Sequence, residues 1–195
     1  MKKKKTTKIR ENITEVEYLK LLIYLNGKEN LTANTKNNLK RTFILLFYTG
    51  MRINEVKQLR VKDIDTIIKK EELIIVTHKT RKERKLFFSK EATKQIKKHF
   101  VFNDDAKNND YIITVKGNPL KIPSSATYIS SVNSFIEEVL GHRYSSHSFR
   151  SGIITDMSKS INPKFIKEFI GHSDIKTTMR HIRPTDEDLK ACLVR

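Results

Sequence analysis

Residues 145–181 read SSHSFRSGIITDMSKSINPKFIKEFIGHSDIKTTMRH, and this stretch decides how the chain is read. Ser146-His147-Ser148-Phe149-Arg150 sets His147 and Arg150 three residues apart, on one face of a helical turn. Asn162-Pro163 then supplies an N-cap and a proline at the first helical position. The helix that it opens carries Phe165, Ile166, Phe169 and Ile170 inward and stops at Gly171, so His172 emerges at a helix C-terminus. Ser173 can cap the next short helix, which bears Thr177, Thr178 and His181. Thr177 and Thr178 read as packing and capping residues.

Working outward, Thr14-x-x-Glu17 has the form of a capping box before the amphipathic stretch from Val16 to Leu25, which predicts a first helix. Asn34 to Tyr48 spaces Leu39, Phe43, Leu46 and Phe47 for a core-facing helix closed by Thr49-Gly50, and Arg52 follows that break directly. Between Asp63 and Ser89 the clusters Ile64/Ile67/Ile68, Leu73–Val76 and Leu86–Phe88 predict three short antiparallel strands. Lys79-Thr80-Arg81-Lys82 becomes a cationic hairpin tip between the second and third. A helix near 90–100, a polar loop at 103–110, a short strand Tyr111-Ile112-Ile113 and a turn at Gly117-Asn118-Pro119 follow. The next helix, from about Ala126 to Leu140, buries Ile129, Val132, Phe135, Ile136 and Val139. Thr185-x-x-Asp188 starts a terminal amphipathic helix with Leu189 and Leu193. The expected class is α+β, mainly helical with a small three-stranded antiparallel sheet.

The chain has 195 residues, within the range of one domain, and 39 Lys+Arg stand against 22 Asp+Glu for a formal charge of +17. That excess predicts an acidic partner. The single cysteine, Cys192, forms neither an internal disulfide nor a thiolate zinc cage, so a cytoplasmic location is expected. No run approaches the roughly 18 apolar residues of a membrane span. The start, Met1 followed by Lys2 to Lys5, lacks the apolar core of a secretory signal. Double-stranded DNA is the expected partner, and no membrane.

Three segments together carry a resemblance. Tyr48-Thr49-Gly50-Met51-Arg52-Ile53-Asn54-Glu55-Val56 resembles the first arginine box of the tyrosine recombinases, the phage integrase family. His147-Ser148-Phe149-Arg150 resembles the HxxR box of that family, and Gly171-His172-Ser173-Asp174-Ile175-Lys176-Thr177-Thr178 its GHS-x-x-x-TT segment. Lys79 matches the catalytic lysine of the family's hairpin. The resemblance implies a catalytic domain over 13–195 behind a flexible basic segment at 1–12, without the separate N-terminal DNA-clamping domain. It also implies a dimer or tetramer on DNA, with Leu189, Cys192 and Leu193 of the terminal helix docking on a neighbouring protomer.

The chemistry explains why such residues converge. Cutting a DNA strand by transesterification requires stabilising the added negative charge of a pentacoordinate phosphorane while an alkoxide leaves. With no metal and no cofactor expected, fixed cations must do this. Arg52 and Arg150 suit the non-bridging oxygens because guanidinium stays charged and binds phosphate bidentately. His147 and His172 can donate hydrogen bonds to the same oxygens or handle protons. The resemblance makes Lys79 the general acid for the leaving 5′-oxygen. Glu55 is read as orienting a cation, and Arg81, Lys82, Arg84 and Lys85 as contacts to the DNA backbone.

One position departs from the family pattern. The nucleophilic tyrosine of the family falls nine residues after the GHS histidine, and here that residue is His181; 145–195 contains no tyrosine. Tyr144 lies just before the HxxR box, and Tyr18, Tyr24, Tyr48, Tyr111 and Tyr128 fall on core or sheet elements. Three explanations stand at this point: a site that holds phosphate but cannot form the phosphotyrosyl intermediate, attack by His181 itself, or a nucleophile supplied from elsewhere. The expected function is site-specific DNA recombination through a covalent 3′-phosphoprotein intermediate, impaired by His181, with a non-cleaving DNA-binding module of the same fold or a type IB topoisomerase-like enzyme as alternatives.

Overall fold

The central element is a long helix that buries nearly everything along its second half. The computed structural model describes residues 10–76, 83–102, 106–116, 118–182 and 190. That central helix is α2 (Ala33–Thr49), where Thr32 accepts a hydrogen bond from the Thr35 N–H at the start and Leu39, Phe43, Ile44, Leu45 and Leu46 are buried. α1 (Glu15–Gly27) lies beside it, started by Thr14, whose backbone N–H donates to Glu17 Oε2 at 3.0 Å. Tyr18 of α1 stacks on Phe47 of α2 with ring centroids 4.1 Å apart. α6 (Ser125–Leu140) and α7 (Ser146–Ser158) close the same core, Phe43 meeting Phe135 and Phe149 at 5.7 and 5.9 Å.

The end of α2 sets the first half of the site. Gly50 takes the left-handed conformation (φ 60°), and a Cβ there would lie 2.7 Å from Ile153 Cγ2. Only glycine fits both the backbone and the contact. The chain then turns into α3 (Ile53–Val56), with Arg52 as its N-cap residue.

The expected first strand is a helix. Residues Val61–Lys70 form α4, in which Ile64 and Ile67 are buried and the Arg60 N–H donates to Asp63 Oδ2 at 2.8 Å. The spacing of Ile64, Ile67 and Ile68 is that of a helix face, and this periodicity with the Asp63 cap outweighs the strand preference of β-branched residues. The sheet therefore has two strands among the described residues, β1 (Glu72–Val76) and β2 (Glu83–Phe87), antiparallel with Ile74 opposite Lys85. The mainly helical α+β class stands. The hairpin tip at 77–82 lies outside the described residues.

After α5 (Lys90–His99), the expected strand at Tyr111–Ile113 is also absent. Only Tyr111 makes a bridge, to Arg60: its own N–H donates to the carbonyl of Pro119 and the Ile112 N–H to that of Leu59, one bond each rather than a ladder. Ile112 and Ile113 are nonetheless fully buried.

α8 (Pro163–Ile170) begins as expected, with Asn162 Oδ1 accepting from the Lys164 N–H and Pro163 at the first position. Ile154 of α7 with Ile166 and Ile170 of α8 makes a second small core. Burying three such side chains contributes about 1.5–3 kcal/mol each, enough to fix α8 on α7. Phe165, expected inward, is 63% exposed, because the buried stripe is only the i, i+4 pair Ile166/Ile170. α9 (Ile175–Met179) is capped by Asp174, whose carboxylate accepts from the Lys176 N–H at 2.9 Å, and not by Ser173, which lies one residue too early for the first turn. The predicted helix from Thr185 lies in residues outside the described ones, apart from Lys190.

Candidate active site

Arg52 stands at the start of α3 with its side chain 41% exposed. Its backbone N–H donates to Glu55 Oε2 at 2.8 Å and its guanidinium Nη1 to Oε1 at 2.9 Å, so Glu55 holds both ends of the residue. Glu55 is buried and has a second cation. Arg84 of β2 donates to Oε2 at 2.9 Å and, through Nη1, to the carbonyl of Phe169 at 2.7 Å.

Arg84 was expected to face DNA beside Lys85. It is instead only 6% exposed and fixed to the protein interior, because alternate residues of β2 point inward and Glu55 waits on that side. Its shaft crosses Gly171 (φ 73°), where a Cβ would lie 2.8 Å from Arg84 Cδ. Lys85 does point outward and pairs with Glu72 across the strands at 2.6 Å. Lys79, Arg81 and Lys82 lie outside the described residues.

Arg150 joins the two halves. It is 3% exposed, and donates from Nη1 to the carbonyl of Gly50 at 2.7 Å and from Nη2 to the carbonyl of Ile170. These carbonyls end α2 and α8, the elements that present Arg52 and His172. Among the described residues no carboxylate pairs with Arg150. Burial first, then the nearby charges of Arg52 and Arg84, pulls its pKa down to about 9, so it stays charged at neutral pH. A buried guanidinium satisfied only by neutral carbonyls, with three of its five N–H groups uncommitted, is a strong anion acceptor.

The histidines follow. His147, in the first turn of α7, has its pKa lowered by partial desolvation and then by Arg10, Arg150 and Arg52. His172 hydrogen-bonds through Nδ1 to Thr178 Oγ1 at 2.9 Å. Its pKa is pushed down to about 3, by burial first and then by Arg150, His181, Arg52 and Arg84. His181 packs into the same cluster, its ring 5.9 Å from that of His172 and 21° from parallel. His181 Nδ1 lies 2.8 Å from Ser151 Oγ, and Thr155 Oγ1 donates to the His181 carbonyl.

Arg52, His147 and Arg150 line one cavity of about 220 Å³, together with Arg10, Asn54 and Asn133. Among the described residues its walls hold no Asp, Glu or Tyr. The six tyrosines are occupied elsewhere: Tyr128 bonds Thr42 at 2.7 Å, Tyr24 bonds Glu138, Tyr18 and Tyr48 pack on Phe47, Tyr111 lies under Arg60, and Tyr144 packs against the main core. Among the described residues no three His, Cys, Asp or Glu side chains come together to hold a metal. No described helix is long and apolar enough to cross a membrane.

Comparison with known proteins supplies the kinship. The profile of the phage integrase family matches residues 11–188. The chain belongs to the phage integrase family. Its relatives include the tyrosine recombinase XerC of Lactobacillus leichmannii, 26% identical over 175 residues, covering 86% of this chain and 56% of that protein. The tyrosine recombinase XerC of Treponema denticola is 28% identical over 166 residues, covering 76% and 52%. The chain thus spans about half the length of the curated relatives it matches. The crystal structure of XerA recombinase superposes with a TM-score of 0.68 at 17% identity, over 94% of this chain and 64% of that one. XerH bound to its palindromic difH substrate in a post-cleavage complex gives 0.67 at 18%, over 95% and 53%. These likenesses show the fold.

In this phage integrase family member, Arg52, His147, Arg150, His172 and His181 come together from separated segments. What sequence reasoning missed are the residues that hold them. Ser151 and Thr178 each meet the Nδ1 of a site histidine, and Arg84 ties Glu55 to the end of α8. Ser151 lies four residues after His147, on the same helix face, which is the one signal that could have found it. Nothing in the spacing of Thr178 distinguishes a packing threonine from a histidine partner.

Proposed function

We propose that this chain is the catalytic region of a site-specific DNA recombinase whose cleavage step is impaired at His181. Arg52 and Arg150 bind the non-bridging oxygens of one DNA phosphate, and His147 and His172 donate to the same group. Lys79 is the general acid toward the leaving 5′-oxygen, and the reaction needs no metal. Arg81, Lys82, Lys85 and the basic segment at 1–12 add affinity for the DNA backbone. Assembly as a dimer or tetramer on DNA through the segment from Thr185 to Leu193 belongs to the same reading.

The observation that carries the proposal is Arg150: a buried cation, tied to the ends of α2 and α8, with no ion-pair partner among the described residues. A phosphate is the counter-charge this arrangement lacks. The likeness to XerH, whose structure contains a DNA substrate, supports DNA as its source. The contact of His181 Nδ1 with Ser151 favours a histidine held in place over a free nucleophile.

Covalent capture from a library of randomised duplexes tests this without a known target sequence. Under denaturing conditions the wild-type chain retains no DNA, and His181→Tyr retains DNA that protease releases. A wild-type adduct lost in His181→Ala would overturn the impaired step, and failure of His181→Tyr to capture any DNA would count against the recombinase reading.

A further inference from the structure

The hydroxyl of Thr178 is fully buried, at 0% exposure, in α9, and its partner among the described residues is His172 Nδ1 at 2.9 Å. A neutral imidazole has one N–H and one bare nitrogen, and the partner of one decides the state of the other. Two arrangements fit the distance. If His172 carries its proton on Nδ1 and donates to Thr178, the threonine O–H needs an acceptor of its own. Threonines elsewhere in the chain use the carbonyl four residues back, as Thr66 does with Lys62 and Thr49 with Leu45. Thr178 makes no such bond; the carbonyl of Asp174 instead accepts the backbone N–H of Thr177. A fully buried O–H donor would then be orphaned, at a cost of about 1–3 kcal/mol. If Thr178 donates to a bare Nδ1, no donor is left over.

We infer that Thr178 is a positioning residue that fixes His172 with its proton on Nε2, making it a neutral N–H donor to a phosphate oxygen and not a base toward it. This rests on the phosphate-binding reading above and adds what holds His172 in the donor state which that reading requires. The setting agrees. Burial first, then Arg150, His181, Arg52 and Arg84, opposes a second proton on the ring, so His172 stays neutral through the physiological range. A bare Nε2 in the same place would present a lone pair to the anionic oxygen and repel it. Nε2 has no hydrogen-bond partner among the described residues, so its N–H is available to a ligand. The sequence spacing follows: Gly171 turns the chain at the end of α8, and Thr178, six residues beyond His172, comes back on α9 against the ring.

Nitrogen-15 NMR of the histidine rings in the DNA-free full chain reads the tautomer directly, and binding to a fixed 20-base-pair duplex reads its consequence. The wild-type His172 shows its proton on Nε2. Thr178→Val, which removes the hydroxyl and keeps the shape, shifts the ring toward the other tautomer and weakens DNA binding about tenfold, the size of one hydrogen bond to a charged group. Thr178→Ser restores both. A proton on Nδ1 in the wild type overturns the assignment even where the valine variant fails to fold, as does a valine variant with unchanged tautomer and affinity. Arg150→Ala separates the two claims: if it loses DNA affinity while Thr178→Val does not, the role of Thr178 falls and the phosphate site stands.

Discussion

The guanidinium of Arg150 reaches the carbonyl of Gly50 at 2.7 Å, across one hundred residues of sequence, and with its other arm takes the carbonyl of Ile170. The two sites of chain reversal that present Arg52 and His172 are therefore held by one side chain. Lysine keeps the charge but cannot span both carbonyls. Arg150→Lys should lower affinity for duplex DNA at least tenfold at fixed salt and leave the salt dependence nearly unchanged, because the number of released counterions stays the same. Fluorescence anisotropy over a salt series measures both.

Glu55 serves Arg52 and Arg84 together, and Arg84 is buried with it. Glu55→Gln leaves the Arg84 guanidinium without its counter-charge, and urea unfolding should show a loss of about 3–5 kcal/mol. Removing both members, in Glu55→Gln with Arg84→Met, should recover most of that loss while Arg52 still lacks its anchor. Stability returns in the double variant and DNA affinity does not.

Gly171 is strained for any other residue, with φ 73° and Arg84 Cδ 2.8 Å from where a Cβ would stand. The Arg84 side chain cannot move aside without leaving Glu55 and the Phe169 carbonyl. Gly171→Ala should destabilise the chain by about 1–2 kcal/mol from the backbone alone, and it should weaken DNA binding by displacing His172. Thermal melts and the same anisotropy assay check the two effects.

The histidines give a pH dependence whose sign is fixed. The pKa of His172 is lowered to about 3, and those of His147 and His99 are lowered as well, mainly by desolvation. Below the ordinary histidine value of about 6.5 the unfolded chain binds more protons than the folded one, so stability falls as pH drops from there toward 3. A bound phosphate reverses the balance at His147 by favouring its charged form, while His172 stays a neutral donor. DNA binding near pH 6 should take up protons, seen as a dependence of calorimetric heat on the ionisation enthalpy of the buffer.

Much of the helical frame could be read from local signals. The Thr14/Glu17 box, the Asn162-Pro163 start and the glycine stops at 50 and 171 act within a few residues of themselves, and all appear where expected. The readings that failed depended on what lay across the fold. Ile64, Ile67 and Ile68 suit a strand by side-chain type and a helix by spacing, and the core chose spacing. Arg84 looks like any charge in a basic hairpin until the alternation of β2 turns it toward Glu55. Arg52, His147 and His172 were legible as candidates because each lies at the end of a helix, and Arg150 because it sits one turn beyond His147 on α7. Thr178 and Ser151 were not, since a threonine or serine on a helix carries no mark of the ring it will meet.

The most direct test is the crystal structure of the wild-type chain with duplex DNA. One backbone phosphate should sit in the cavity between α3 and α7, its non-bridging oxygens within hydrogen-bond distance of Arg52 and Arg150 and of Nε2 of His172. The strand should be intact beside His181. A duplex bound through other surfaces, with that cavity holding only solvent and Arg150 touching no phosphate, would contradict it.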